Sequence, residues 1–191
     1  MKAWQHFKTI TKHRILVMQG CFQVGLYWQG LTHDLSKYSP TEFRIGAQYY
    51  QGTRSPNAAE REDKGYSEAW MHHKGRNKHH YEYWVDLNPV TKRYEPVPMP
   101  RRYLVEMVMD RRAACMTYQG KSYTPASALD YLDKSRERKS MNPVTERQLR
   151  YPDHAPGPGR RRDLPLSAGG GPSRQTLPLG GRKFRGVKIR S

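Results

Sequence analysis

Four of the chain's eight histidines, His72, His73, His79 and His80, fall within the segment Ala69–Trp84. Residues of the same chemical type recur elsewhere: His33 and Asp34 are adjacent, with His13 before them and Asp110 well after. Imidazole nitrogens and carboxylate oxygens are ligands for divalent metals. An adjacent His-Asp pair can bring one of each to a single ion from the first turn of a helix. Lys37 follows Asp34 by one helical turn, where an ammonium would meet a phosphate. Asp110 lies among packing residues, where a charge without a partner is costly. These residues predict one or two metal ions held by His13, His33, Asp34, Asp110 and the histidine cluster.

Neighbouring histidines point about 100° apart on a helix, so one of each pair is expected to ligate. The reading leans to His73 and His79 and keeps all four. A shared face for positions seven apart requires that Gly75 not break the helix. Arg76, with Lys37, is assigned to phosphate charge, and Asn77 to orienting a ligand or substrate. The competing reading of the cluster is a solvated surface over Tyr81, Tyr83 and Trp84.

Apolar residues at Trp4, Phe7, Ile10, Ile15, Met18, Phe22 and Leu26 predict one helix from Trp4 to about Trp28, ended by Gly30. His6 and His13 share a face of it; His6 lies nearer the fraying end, and the context favours His13. Thr32 is read as the cap of a short helix that opens with His33-Asp34. A third helix runs from Thr41 to Tyr50, and residues 52–65 read as a surface loop. Ser67 opens the histidine helix. Residues 84–100 read as extended, with a small hairpin or lid-like loop, because prolines at 96, 98 and 100 exclude helix. Helices follow from Pro100 to Gln119, from Thr124-Pro125 to about Lys139, and from Asn142-Pro143 onward.

Two domains are expected: a helical metal-binding domain at 1–150 and a Gly/Pro/Arg-rich, disordered basic tail at 151–191. The formal charge is +17, from 34 Lys+Arg and 17 Asp+Glu. The tail carries nine Lys/Arg against two Asp, a net of +7; residues 1–150 carry 25 against 15, a net of +10. Such a balance favours anionic partners: phosphorylated small molecules, nucleotides, or nucleic acid through the tail. The tail reads either as a basic arm for RNA or DNA or as a frameshift product replacing a helical C-terminus. Two cysteines, Cys21 and Cys115, make no disulfide framework and no CxxC zinc site, which suits a reducing cytoplasm. Met1–Ile10 lacks the apolar core of a signal peptide, and Ile15–Trp28 is too short and polar for a membrane span. No Gly-rich phosphate loop, Ser/His/Asp order or zinc finger is evident.

The stretches from His33 to Phe43, Ala69 to Trp84 and Val105 to Asp110 resemble an uncharacterised family of small bacterial and phage proteins, DUF5662, over about residues 1–150. More distantly, His13, His33-Asp34 and Asp110 resemble, in order, the ligand pattern of the HD-domain superfamily of metal-dependent phosphohydrolases. That resemblance implies an all-α, HD-domain-like helical bundle with one or two divalent ions (Mn, Fe, Mg, Zn, Co or Ni). It also implies hydrolysis of a phosphomonoester, phosphodiester or nucleotide. A di-iron oxygenase on the same scaffold is the alternative within that resemblance. A non-enzymatic nucleic-acid-binding protein is the alternative outside it.

Overall fold

The first helix, α1, spans Lys2–Gln23 and turns Ile10, Val17 and Cys21 inward along one stripe. It ends earlier than its apolar pattern predicts. Gly25 adopts φ +80°, and the N–H groups of Gly25 and Leu26 donate to the carbonyls of Phe22 and Cys21. This left-handed glycine cap satisfies the last carbonyls of α1 and reverses the chain. A separate short helix, α2, follows at Tyr27–Thr32. Gly30, expected to end the first helix, instead lies buried inside α2. A Cβ there would come within 3.0 Å of the Phe22 ring, so Gly30 permits close contact with α1.

The computed structural model describes residues 1–134 and 140–150. The expected disorder of 151–191, both readings of that tail, and the predicted helix end near Lys139 lie outside the described residues. The described chain is mostly helical. A 3₁₀ turn at Leu35–Tyr38 leads into α3 at Pro40–Gln48, whose Glu42 N–H donates to the Ser39 hydroxyl at 3.4 Å. The stretch expected as surface loop contains α4, Pro56–Lys64. Its signals are Ser55-Pro56 at the start and Gly65, at φ +80°, past the end. Its polar composition hid an inward face made by Ala59 and the fully buried Glu60. Glu60 accepts from the Ser67 hydroxyl at 2.6 Å and the Glu68 N–H at 3.0 Å, and so fixes the start of α5, Glu68–Lys74. Gly75 closes α5.

Strands β1 (Val85–Leu87) and β2 (Tyr94–Pro96) form the expected small hairpin, paired antiparallel with Asp86 opposite Glu95. Helix α6 spans Arg101–Gln119, and α7 (Ser127–Lys134) and α8 (Pro143–Arg150) follow. Helices α1 and α6 form the central pair. A Cβ on Gly20 would stand 2.9 Å from the Met109 sulfur, so glycine lets the two helices approach. Val17, Cys21, Met109 and Ala113 fill that contact. A second apolar cluster, Met99, Leu104, Met107, Leu132 and Met141, lies under α7 and the hairpin exit. No helix among the described residues is long and apolar enough to cross a membrane.

His6 lies in this framework, not at a fraying end. It is buried against Phe43 and Tyr50, with ring centroids at 5.4 and 5.8 Å, and Gly46 leaves it room. Burial, and secondarily the Lys37 charge, lower its pKa to about 4. An unfolded histidine protonates near 6.5, so between these values the unfolded chain binds more protons than the fold. The stability that a neutral His6 contributes is therefore present above about 6.5 and lost as pH falls towards 4. The urea midpoint of the wild-type chain is expected to fall more between pH 7 and pH 5 than that of His6→Asn. Equal falls would show that His6 carries no proton linkage.

Candidate metal centre

Four pieces of chain converge beside the α1–α6 contact. Helix α1 supplies His13, and α6 supplies Glu106 and Asp110, which are four apart and so share a face. His33 and Asp34 were expected in the first turn of a helix. They occupy instead a bend between α2 and the 3₁₀ turn: His33 is extended and Asp34 is left-handed, at φ 53°. Thr32 does not cap a helix there; its hydroxyl donates back to the Trp28 carbonyl. Asp is among the few residues that tolerate the left-handed region, and backbone held there is common at functional sites. Arg14 clamps the bend to α1, donating to the His33 carbonyl at 2.7 Å and the Leu31 carbonyl at 3.1 Å. Helix α5 supplies His73. Because Gly75 ends that helix, the turn after it, not a continued helix face, brings in His79 and His80.

The result is two donor sets that share one carboxylate, with a third group, His33, His79 and Glu106, overlapping both. His13, His33, Asp34 and Asp110 form the first, and Asp34, His73, His79 and His80 the second; the ligand atoms within each set lie within 4.8 Å of one another. The oxygens of Asp34 divide between them. Oδ1 is 3.2 Å from His73 Nε2 and 3.3 Å from His79 Nε2, whereas Oδ2 is 3.4 Å from His33 Nε2 and 3.9 Å from His13 Nε2. Asp110 Oδ1 lies 2.9 Å from His13 Nε2 and 3.6 Å from His33 Nε2. Nε2 of all five imidazoles and both Asp34 oxygens are buried without a hydrogen bond of good geometry. Buried polar atoms are rarely left so. Their convergence means that the clusters could hold a metal ion.

A further layer of carboxylates aims these rings. Glu106 Oε1 accepts from Nδ1 of His33 at 3.0 Å and of His79 at 3.2 Å, one ring from each set. Glu42 Oε2 accepts from His73 Nδ1 at 2.8 Å. Holding the proton on Nδ1 leaves the Nε2 lone pair for a ligand. The electrostatics follow this plan. Burial alone would raise Asp34 and Asp110, yet their histidine neighbours, with Lys37 beside Asp34, hold both well below the usual carboxylate range. Burial opposes charge on His33 and His73, but the carboxylates outweigh it and raise both. Burial keeps His13 low and, with His79 and His73 adding, keeps His80 well below its usual value.

Lys37 lies at the centre, its Nζ 2.8 Å from Asp34 Oδ2. His72 does not join either set; it is partly exposed and donates to Glu42 Oε1 at 2.7 Å. Arg76 is exposed and donates to the His72 carbonyl at 3.3 Å, outside the clusters. The Asn77 amide donates to the His73 carbonyl and the Ser36 hydroxyl, both at 2.8 Å, so it braces His73 from behind. Sequence reasoning missed Glu42, Glu106 and Arg14. The spacing of Glu106 four before Asp110 was a usable signal. Glu42 and Arg14 carried none, because each acts on a residue distant in the chain.

Residues 2–151 match the family described as "Family of unknown function (DUF5662)". No curated protein and no solved structure matches the chain.

Because Glu106 serves both sets and Glu42 only the second, their loss should differ. Glu106→Gln is expected to weaken the binding of every ion the centre takes up, by roughly 10–100-fold each. Glu42→Gln should weaken only the ion held by His73, His79 and His80. Calorimetric titration of the metal-stripped variants with Mn or Zn checks this; identical profiles would contradict the two-layer arrangement.

Proposed function

Since the chain belongs to the DUF5662 family, whose function is unknown, we propose its activity from the site: a metal-dependent phosphohydrolase with a dinuclear His/Asp centre. The observation that carries this reading is the shared Asp34. A single carboxylate with each oxygen facing a different group of unpartnered imidazole nitrogens is suited to bridging two cations. The first ion would rest on His13, His33, Asp34 and Asp110, and the second on Asp34, His73, His79 and His80. The order of His13, His33-Asp34 and Asp110 along the chain is that of the HD superfamily and supports the same reading.

Five imidazoles and no thiolate narrow the metal. Mg prefers oxygen ligands and retained waters, so Mn, Fe, Co, Ni and Zn suit this set better. Bound ions of this kind supply a water of lowered pKa and polarise a phosphoryl oxygen. The chain's own residues do the rest. Asp34 and Asp110 fix the centre from two sides, and the Glu106 and Glu42 carboxylates keep the imidazoles turned towards it. Lys37 has three donors and directs one side of its ammonium to Asp34, leaving the others for a phosphate oxygen. The ammonium cannot lose its proton near neutrality. Burial alone would lower its pKa, but Asp34 and Asp110 raise it further above its usual value. The substrate is accordingly an anion: a phosphomonoester, phosphodiester or nucleotide.

Untagged wild-type protein is expected to carry stoichiometric transition metal by elemental analysis and to hydrolyse at least one ester of a phosphate panel. His33→Ala and Asp34→Ala should each strip the metal and the activity. Unchanged metal in both variants would sink the site. Bound iron with oxygen uptake and no ester hydrolysis would move the chain to di-iron oxygenase chemistry.

A further inference from the structure

The side of α1 turned away from the metal centre is apolar and open. Trp4, Phe7, Ile15 and Phe22 fall within one stripe of the helix, and each is exposed. His13 is nine residues from both Trp4 and Phe22, about two and a half turns, which puts it on the opposite side. Helix α2 widens the stripe. The Phe22 ring meets Tyr27 edge-on at 5.3 Å, and Arg14 donates to the Leu31 carbonyl at 3.1 Å. Trp28 and Leu31 stand open on α2, exposed by 74% and 52%. At the other end Phe7 stacks on Trp4 at 5.5 Å and meets Tyr38 of the 3₁₀ turn at 5.8 Å. These contacts join the two helices into one apolar surface that nothing among the described residues covers. Contiguous open apolar surface marks an interaction site.

Its charge says what it meets. Lys8 and Lys12 form a second stripe of α1 beside the first, and the Lys8 ammonium lies over the Trp4 ring at 6.0 Å from its centroid. Lys2, Lys8 and Lys12 are exposed. Up to residue 59 the only acidic residues are Asp34 and Glu42, and both are buried. Exposed aromatic and aliphatic side chains flanked by lysine, with no open carboxylate, match an element that lies in the plane of a bilayer interface. Tryptophan rings settle at the level of the headgroups, and lysines lay their stems on the apolar surface while the ammonium reaches an anionic headgroup. A second copy fits less well. A two-fold contact would use the same patch on both chains and set lysine against lysine.

We propose that the outer face of α1 and α2 docks the protein on an anionic lipid surface, lying on the bilayer and not crossing it. The docking is independent of the chemistry at the metal centre, which is on the other side of α1. The full chain is mixed with vesicles of phosphatidylcholine, with and without phosphatidylglycerol, and followed by co-sedimentation and tryptophan fluorescence. Wild-type protein should sediment with the phosphatidylglycerol vesicles, and its emission should shift to the blue. The Trp4→Ser/Trp28→Ser variant, altered only at exposed positions, should keep the wild-type melting temperature, bind at least roughly tenfold more weakly and lose the blue shift. The Lys8→Gln/Lys12→Gln variant should lose about fivefold in affinity per lysine at low salt, and less at high salt.

Wild-type protein that leaves the vesicles in solution would overturn the proposal. So would equal binding by the tryptophan variant, which would assign the attraction to charge elsewhere on the chain. Equal binding to vesicles without phosphatidylglycerol would remove the role of the lysines and overturn the anionic surface. A dimer in sedimentation equilibrium that the tryptophan variant lacks, without vesicle binding, would give the face to a second copy instead.

Discussion

The Asp34 carboxylate has an exposed fraction of 1%, and each of its oxygens faces a different pair of imidazole nitrogens. Burying a charge costs several kcal/mol unless it is paired, and losing one partner leaves the other charge stranded. Asp34 therefore requires its surroundings to be in place. The left-handed turn at its own α-carbon, the Arg14 clamp on the His33 carbonyl and the Lys37 ammonium all fix this one side chain. The close approach of α1 and α6 at Gly20 serves the same end, since it sets His13 against Asp110. Relaxing any of these would move a buried ion and not merely a methyl group.

The outer carboxylates extend the dependence. Glu106 joins a ring from the bend to a ring from the turn after α5, so one side chain of α6 couples two segments that do not otherwise share an element. Glu42 ties α3 to α5 through His72 and His73. His72 thus acts at the rim, occupying the second oxygen of Glu42 and holding it still for His73. Helix α6 contributes Leu104 and Met107 to one apolar cluster, Met109 and Ala113 to the other, and Glu106 and Asp110 to the centre, which explains why its apolar stripe is broken by those two carboxylates.

Much of this was legible in the chain. The residue types of the centre, the hairpin and the helices from Pro100 onward follow from local rules of ligand chemistry, proline exclusion and capping. What was not legible depended on contacts between distant residues. The apolar pattern of the first helix runs on past Gln23, and only the glycine cap at Gly25 shows that the chain turns. Helix α4 was hidden because its buried face rests on Glu60, a charge that is internal only because Ser67 and the Glu68 N–H receive it. The choice within each histidine pair was set by the end of α5 at Gly75. Once the helix stops, His73 faces inward from α5 and both His79 and His80 enter from the turn, so the geometry brings one member of the first pair and both of the second into the donor set.

The charges of the site bear on the proposed anionic substrate. Asp34, Glu42, Glu106 and Asp110 bring four negative charges, and Lys37 one positive, leaving −3 with neutral imidazoles. Protons on His33 and His73, which the carboxylates favour, reduce this to −1, so the protein without metal is close to balanced. Two divalent cations with all imidazoles neutral change −3 to +1. Metal uptake would then displace those protons, and the loaded centre would move from −1 to a net +1 that includes the Lys37 ammonium. A site of that sign, buried among low-dielectric walls, disfavours a neutral ligand and complements a phosphate. The excess that would favour an anion with metal bound is absent without it, so under the proposed function substrate affinity would be coupled to metal occupancy through Asp34 itself.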